Sequence, residues 1–310
     1  MKNRTDAVKL TIGSVAVLLP GCVRPPASTP YERQRGLVLV LPGIEGPSPW
    51  NASIARGLHD GGVDRAVEVY DWGTQAGVLT WWLHLAHHGR NIDQARELAE
   101  FIRDYRAAYP SAPIDLIGHS GGAGILLLAL EQLPASVRVK SAVLLAAAVS
   151  PDYDLTRALG RTERGIWNFY SGRDVAFLGA GTVLFGTIDR AHTVAAGAVG
   201  FDTSRSSGDP AHDVYARKLH QVAYADGMAF TGNFGTHSGW ASREFAREWL
   251  APLVRSGAPP QPSFARTEAA PMLAADAAPA SAHRRLSPEL PTTRAADEPR
   301  ADRGSPPWIP

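Results

Sequence analysis

The sequence predicts an α/β fold built on a doubly wound, mostly parallel β-sheet. Short apolar runs with the length of strands alternate along the chain with longer segments in which apolar residues recur at helical spacing. The strand-like runs are apolar at nearly every position, which is typical of strands that helices cover on both faces. In such sheets ligands bind beyond the carboxyl ends of the strands, so functional residues are expected there.

Six segments have the character of strands. The first, 37–41, contains only leucine and valine and ends at a Pro-Gly pair, which indicates a buried strand followed by a turn. The third is short and runs directly into Gly118. The predicted strands are 37–41, 66–72, 114–117, 137–147, 166–170 and 219–225.

The helices between them have recognisable ends. Asn51 is a suitable N-cap for a helix that continues to about residue 59 and is closed by two glycines. A second helix, 93–109, ends before Pro110, because proline cannot continue it. The remaining predicted helices are 122–133 and 243–254, and the latter places Phe245, Trp249 and Leu253 on one face.

Composition excludes several classes of protein. The chain has 310 residues with 45% hydrophobic and 20% charged residues, which is unlike a collagen, a coiled coil or a wholly disordered protein. Lys and Arg number 31 against 30 Asp and Glu, so there is no bulk positive charge for nucleic acid and no nucleic-acid partner is predicted. The single cysteine, Cys22, excludes an intrachain disulfide and a zinc site made of cysteines.

Residues 1–22 have the pattern of an export signal. A positively charged start is followed by ten uncharged residues, 10–19, which are too few to span a bilayer. The run Leu19-Pro20-Gly21-Cys22 resembles the processing box of bacterial lipoproteins. The resemblance implies cleavage before Cys22, lipidation of its thiol, and a membrane-anchored protein of the bacterial cell envelope that faces the periplasm or the exterior. The alternative is a buried N-terminal strand that happens to contain the one thiol.

The rest of the chain divides by composition. Residues 23–35 form a short linker, and residues 36–256 form the α/β domain. The last segment, 257–310, contains 11 Pro and 13 Ala in 54 positions and has no sustained apolar period. A segment of this kind cannot bury enough apolar surface to offset the entropy of ordering, so we expect a disordered tail.

The third strand is followed by a motif that carries chemistry. The residues Gly118-His119-Ser120-Gly121-Gly122 fit the pattern G-x-S-x-G, between a predicted strand and an apolar helix. This turn is strained and crowded, so it needs glycines, and it lifts the serine hydroxyl above the sheet at a helix N-terminus. Ser120 is the candidate nucleophile, and the backbone N–H of Gly121 is a candidate donor to a developing oxyanion. The side chain of His119 is expected to point away.

With this motif, residues 36–255 resemble the α/β-hydrolase superfamily of serine esterases and lipases. The segment before residue 36 is too short for the two leading strands of that family, so we expect an α/β-hydrolase fold with a reduced sheet of about six strands. In the family, the loop after the first of the remaining strands supplies the second oxyanion donor. By resemblance, that donor is the N–H of Ile44, where Pro42-Gly43 replaces the usual His-Gly pair.

A nucleophilic serine needs a base, and the order of the triad in this family is serine, acid, histidine. Among ten histidines, His237 fits best, because it follows the last strand and precedes the closing helix. His220 falls within a predicted strand and His283 in the tail. His84, His87 and His88 have helical spacing but no paired carboxylate motif, so no metal site is predicted.

The acid is expected after the fifth strand, where the chain forms a polar turn. Asp174 is the favoured residue, and its role would be to hold the tautomer of His237 and stabilise the imidazolium. Asp189 is the second choice. Asp152 and Asp154, which follow the preceding strand, are the third.

These residues predict a serine hydrolase that cleaves a lipid or small acyl ester through an acyl-enzyme at Ser120 and uses no cofactor. Segments 73–90 and 175–217 are candidates for the walls of an acyl pocket. The alternative is a non-catalytic binding or scaffold lipoprotein of the cell envelope that has kept the fold. The two hypotheses differ in whether the serine and the histidine come within hydrogen-bond reach.

Overall fold

The computed structural model confirms a six-stranded, wholly parallel sheet covered by helices on both faces. The chain divides into two units, Met1–Ala265 and Arg266–Pro310, and the described residues all belong to the first. The predicted lipidation site Cys22 and nearly all of the predicted tail lie outside the described residues. The structure describes residues 28–72, 88–174, 187–189, 191–203 and 210–259.

The strands lie in the order β2-β1-β3-β4-β5-β6. Neighbouring strands begin level with one another, so that Leu37 pairs with Ala66 on one side and Ile114 on the other. Their carboxyl ends therefore form one edge of the sheet. The strands are β1 (Leu37–Leu41), β2 (Ala66–Val69), β3 (Ile114–His119), β4 (Ser141–Leu145), β5 (Ile166–Tyr170) and β6 (Leu219–Ala223).

The four predicted helices are found at the expected positions and differ at their ends, and the helices at Pro30–Arg35, Thr156–Gly160, Ala196–Val199 and Pro210–Lys218 were not predicted. Within the predicted linker, Thr29 and Glu32 form a capping box that begins helix α1. Ser48, not Asn51, is the N-cap of α2, because Pro49 is well suited to the first helical position and Asn51 then bonds back to Ser48 from the third. The helices are α1 (Pro30–Arg35), α2 (Pro49–Asp60), α3 (His88–Ala108), α4 (Gly121–Gln132), α5 (Thr156–Gly160), α6 (Ala196–Val199), α7 (Pro210–Lys218), α8 (Arg243–Phe245) and α9 (Ala251–Ser256).

The closing helix differs most from the prediction. A π-helical turn, Ala246–Leu250, joins α8 to α9 where one continuous α-helix was expected. Pro252 has no N–H to donate to the carbonyl four residues earlier, so the regular pattern is broken there. The predicted apolar face is nevertheless buried, as Phe245, Trp249 and Leu253 all lie in the core.

The apolar strands serve two cores, one on each face of the sheet. In β1 the leucines pack with α3 and α4, and the valines pack with α2 and the closing helix. Successive side chains of a strand point to opposite faces, so a strand buried on both faces must be apolar throughout. No helix in the described part of the chain is both long and apolar enough to cross a bilayer.

A buried ion pair joins the amino ends of the strands to the closing helix. Asp115 in β3 is fully buried and accepts hydrogen bonds from Arg65 (2.7 Å) and from the hydroxyl of Ser141. The same guanidinium donates to the carbonyl of Val254 (2.9 Å), and Lys140 donates to that oxygen as well (2.8 Å). These bonds lie at the opposite end of the sheet from Ser120.

We expect Arg65→Met to lower the free energy of unfolding by about 3–5 kcal/mol, because it leaves the carboxylate of Asp115 buried without its cation. Urea denaturation followed by circular dichroism measures the loss. The matched control is Arg96→Met, which removes an exposed pair with Asp93 and should cost less than about 1 kcal/mol. Equal losses in the two variants would contradict this account of the pair.

Candidate active site

Ser120 lies on a strained turn between β3 and α4. Its backbone φ is 53°, in the left-handed region that residues other than glycine rarely adopt. The predicted need for glycine on either side is confirmed by the packing. A Cβ on Gly118 would lie 2.6 Å from the Cα of Ala123, and one on Gly122 would overlap the carbonyl oxygen of Pro42. The turn therefore lifts Ser120 above the carboxyl edge of the sheet.

The backbone of Ser120 is fixed by the neighbouring strand. Its N–H donates to the carbonyl of Leu145 (2.9 Å), and its carbonyl accepts from the N–H of Ala148 (3.2 Å). Both partners belong to the end of β4 and the loop that follows it. Because these bonds hold the strained conformation, the backbone position of Ser120 is set before any ligand arrives.

The loop after β1 lies against this turn. The indole N–H of Trp72 donates to the carbonyl of Pro42 (2.8 Å) and anchors the start of the loop. The position that a Cβ of Gly121 would occupy is 3.6 Å from the backbone nitrogen of Ile44. The two predicted oxyanion donors, Ile44 and Gly121, are thus neighbours beside Ser120.

Asp174 and His237 form a buried pair. Asp174 ends a short 3₁₀ turn after β5, and its Oδ2 is 2.9 Å from Nδ1 of His237. Their exposed fractions are only 2% and 8%. Burial raises the pKa of Asp174 and lowers that of His237 to about 4, because both charged forms lose hydration. A neutral imidazole whose Nδ1–H donates to the carboxylate keeps the lone pair of Nε2 as an acceptor. The described residues show no hydrogen bond between the hydroxyl of Ser120 and His237; such catalytic contacts are often longer before a substrate binds.

The loop that carries His237 is shaped by polar turns. Asn233 accepts the N–H of Gly235 through its side chain (2.9 Å), and Gly235 has a φ of 75°. Any side chain at Gly235 would meet the hydroxyl of Ser171 and the ring of Tyr224. This glycine therefore lets the loop pack tightly over the end of β5, where Asp174 lies.

The side chain of His119 contacts the loop of the candidate base, contrary to the expectation that it points away. Its Nε2 is 3.0 Å from the carbonyl oxygen of His237, and the two ring centroids are 4.9 Å apart. A carbonyl can only accept, so Nε2 carries the proton. His119 is fully buried, and burial lowers its pKa to about 4. The residue next to the candidate nucleophile thus positions the backbone of the candidate base.

We expect His119→Phe to lower the rate of reaction at Ser120 by about tenfold or more, because a buried carbonyl loses its donor and the His237 loop shifts. His119→Gln should restore part of the rate, since its amide N–H can reach a similar position. The measurement is the rate of modification by a fluorophosphonate, with thermal unfolding as the check on folding. Equal rates for the Phe and Gln variants would contradict the positioning role.

The hydrogen bonds found for the other candidate acids go to residues other than His237. Asp189 accepts from both the backbone N–H (3.0 Å) and the hydroxyl of Ser150. Asp154 accepts from the N–H of Thr156 (2.9 Å), and Asp152 is exposed. Of the four aspartates considered, Asp174 is the one that the structure brings to the histidine.

The remaining predictions for the site have mixed outcomes. His220 bonds to the carbonyl of Arg164 and stacks on Trp167, outside the site. The alanine-rich part of the predicted pocket wall, 191–201, packs largely into the cores. The tryptophans and most of the histidines of segment 73–90 lie outside the described residues. No group of three or more potential metal ligands is found among the side chains that the structure describes.

Two residues near Ser120 were missed in the sequence. Glu45 follows Ile44 in the loop after β1, and its carboxylate accepts the N–H of Gly43 (3.3 Å). Trp50 at the start of α2 meets the ring of His119 edge-on, with centroids 6.4 Å apart. The sequence did offer a signal for Glu45, because this acidic residue lies between Gly43 and Gly46 in the loop that was already predicted to supply an oxyanion donor.

Comparison with known proteins gives structural matches only. No family model and no curated protein matches the chain. An α/β serine hydrolase without a lid from Xanthomonas campestris is 19% identical, with 73% of this chain and 84% of that chain covered and a TM-score of 0.42. The poly(3-hydroxybutyrate) depolymerase LpqC from Bordetella parapertussis is 14% identical (78% and 84% covered, TM-score 0.46). Lipase B from Aspergillus fumigatus is 13% identical (77% and 57% covered, TM-score 0.46).

Solved structures of α/β hydrolases are thus among the matches. The function is therefore inferred from the residues of the candidate site and not from these matches.

Proposed function

We propose that the protein is a serine hydrolase that cleaves carboxylic esters through an acyl-enzyme at Ser120. The observation that carries the proposal is the buried hydrogen bond between Asp174 and His237, on loops at the edge of the sheet where Ser120 is held in a strained turn. A merely structural serine would not need this strain, nor the crowded glycines around it.

In the first half of the reaction, the hydroxyl oxygen of Ser120 attacks the acyl carbon, and Nε2 of His237 accepts the hydroxyl proton. The carbonyl oxygen becomes an oxyanion, which the N–H groups of Ile44 and Gly121 stabilise. When the intermediate collapses, the bond from the acyl carbon to the alcohol oxygen breaks. The imidazolium gives its proton to the departing alcohol, which leaves an ester on Ser120.

In the second half, a water molecule takes the place of the alcohol. His237 accepts a proton from this water while the oxygen of the water attacks the acyl carbon. The bond from the acyl carbon to Ser120 then breaks, and His237 returns the proton to the oxygen of Ser120. The products are a carboxylic acid and the free enzyme. Asp174 keeps the imidazole in the tautomer whose Nε2 can accept, and it stabilises the imidazolium that forms transiently.

Modification by a fluorophosphonate tests the proposal. We expect the full-length protein to form one covalent adduct with loss of fluoride, and we expect mass spectrometry of its peptides to locate the adduct on Ser120. Ser238, an exposed serine beside His237, is the internal control and should remain unmodified. A folded protein that forms no adduct, or forms it elsewhere, would refute Ser120 as the nucleophile.

A further inference from the structure

The carboxylate of Glu45 shares the space around the side chain of Ser120. The position that a Cβ of Gly43 would occupy overlaps Oε2 of Glu45 and lies 3.2 Å from the Cβ of Ser120. Both groups therefore border the position that a side chain at Gly43 would occupy. The carboxylate is also close enough to His119 to favour its charged form, against the effect of burial.

The carboxylate of Glu45 is hydrogen-bonded to an uncharged group. Its hydrogen bond in the structure comes from the backbone N–H of Gly43, at 3.3 Å. None of the ion pairs found among the described residues includes Glu45. The nearby imidazoles of His119 and His237 have pKa values lowered to about 4, so they are neutral at pH 7. A negative charge thus stands beside the candidate nucleophile, and no cation that balances it is found in the part of the chain that the structure describes.

We infer that Glu45 is a specificity residue that favours esters carrying a positive charge close to the scissile bond. The inference rests on the proposed function, because it assumes that an ester binds with its acyl carbon at Ser120. A quaternary ammonium group near that carbon would face the carboxylate of Glu45, whereas an anionic group would be repelled by it. The same carboxylate accepts the N–H of Gly43, so the N–H of Ile44 rather than that of Gly43 is the candidate second oxyanion donor.

The size of the effect follows from Coulomb's law. Unit charges about 6 Å apart at an effective dielectric constant of about 20 to 80 change kcat/KM by about 100-fold to threefold. The effect should weaken as ionic strength rises, since Glu45 is only partly buried.

The test uses two matched pairs of esters whose members differ in a cationic nitrogen and the corresponding neutral carbon. Choline acetate and 3,3-dimethylbutyl acetate place the charge on the alcohol side. The ethyl esters of betaine and of 3,3-dimethylbutanoic acid place it on the acyl side. For each pair, the ratio of kcat/KM for the cationic ester to that for the neutral ester is measured with the full-length protein and with Glu45→Gln. Each ratio is taken within one variant, so any general loss of activity cancels.

We expect Glu45→Gln to lower this ratio by about tenfold in at least one pair, within the range set by Coulomb's law. The control Glu163→Gln removes the same charge at the opposite end of the sheet and should leave both ratios unchanged. Ratios unaltered in both pairs, with neutral esters still hydrolysed, would overturn the role of Glu45 alone. A wild-type protein that hydrolyses no ester would overturn the proposed function and this inference with it.

Discussion

Ser120→Ala is expected to lower ester hydrolysis by about 10,000-fold or more, because it removes the oxygen that forms the acyl-enzyme. The measurement is kcat/KM for p-nitrophenyl butyrate with the full-length protein. Alanine keeps the Cβ of serine, so the strain at a φ of 53° is the same in both proteins. No side-chain cap bond to α4 is lost with the hydroxyl, and the fold should be retained.

Two controls separate loss of the nucleophile from loss of structure. The temperature of unfolding of Ser120→Ala should stay close to that of the unchanged protein. Ser238→Ala removes an exposed hydroxyl next to His237 and should retain most of the activity. Hydrolysis by Ser120→Ala at the rate of the unchanged protein would exclude an acyl-enzyme at this residue.

The residues of the candidate site could be predicted because the topology places them. Ser120 and Asp174 follow β3 and β5 closely, and His237 lies in the longer loop after β6; parallel strands bring their carboxyl ends to one edge. Once the strands are recognised from their apolar runs, the residues after them must be neighbours. The glycines beside Ser120 added an independent steric reason, which the packing confirms.

What escaped prediction depends on contacts between segments far apart in the sequence. The hydrogen bond from His119 to the carbonyl of His237 joins residues 118 positions apart, and no local pattern encodes it. The approach of Glu45 to Ser120 likewise depends on how the loop after β1 folds back over the turn. The N-cap of α2 could have been predicted correctly from local sequence. Asn51 and Ser48 are both good capping residues, and only Ser48 precedes a proline, which favours the first helical position.

Asp174→Asn is expected to lower kcat/KM by about 1,000- to 10,000-fold while the fold is retained. An asparagine of the same shape can donate its amide N–H to Nδ1 of His237. The histidine then carries its proton on Nε2, which can no longer accept the hydroxyl proton of Ser120. The matched control is Asp189→Asn, which changes the acid that bonds to Ser150 and should leave activity within about tenfold of the unchanged protein.

The stability of Asp174→Asn decides how a loss of activity is interpreted. Burial raises the pKa of Asp174, which means that its surroundings disfavour the charged form relative to water. A neutral asparagine avoids that penalty at pH 7, so the midpoint of urea unfolding should fall little. A large loss of activity without a loss of stability would then come from the wrong tautomer of His237. If Asp189→Asn lost activity and Asp174→Asn kept it, the acid would have to be Asp189, from the segment between β5 and β6.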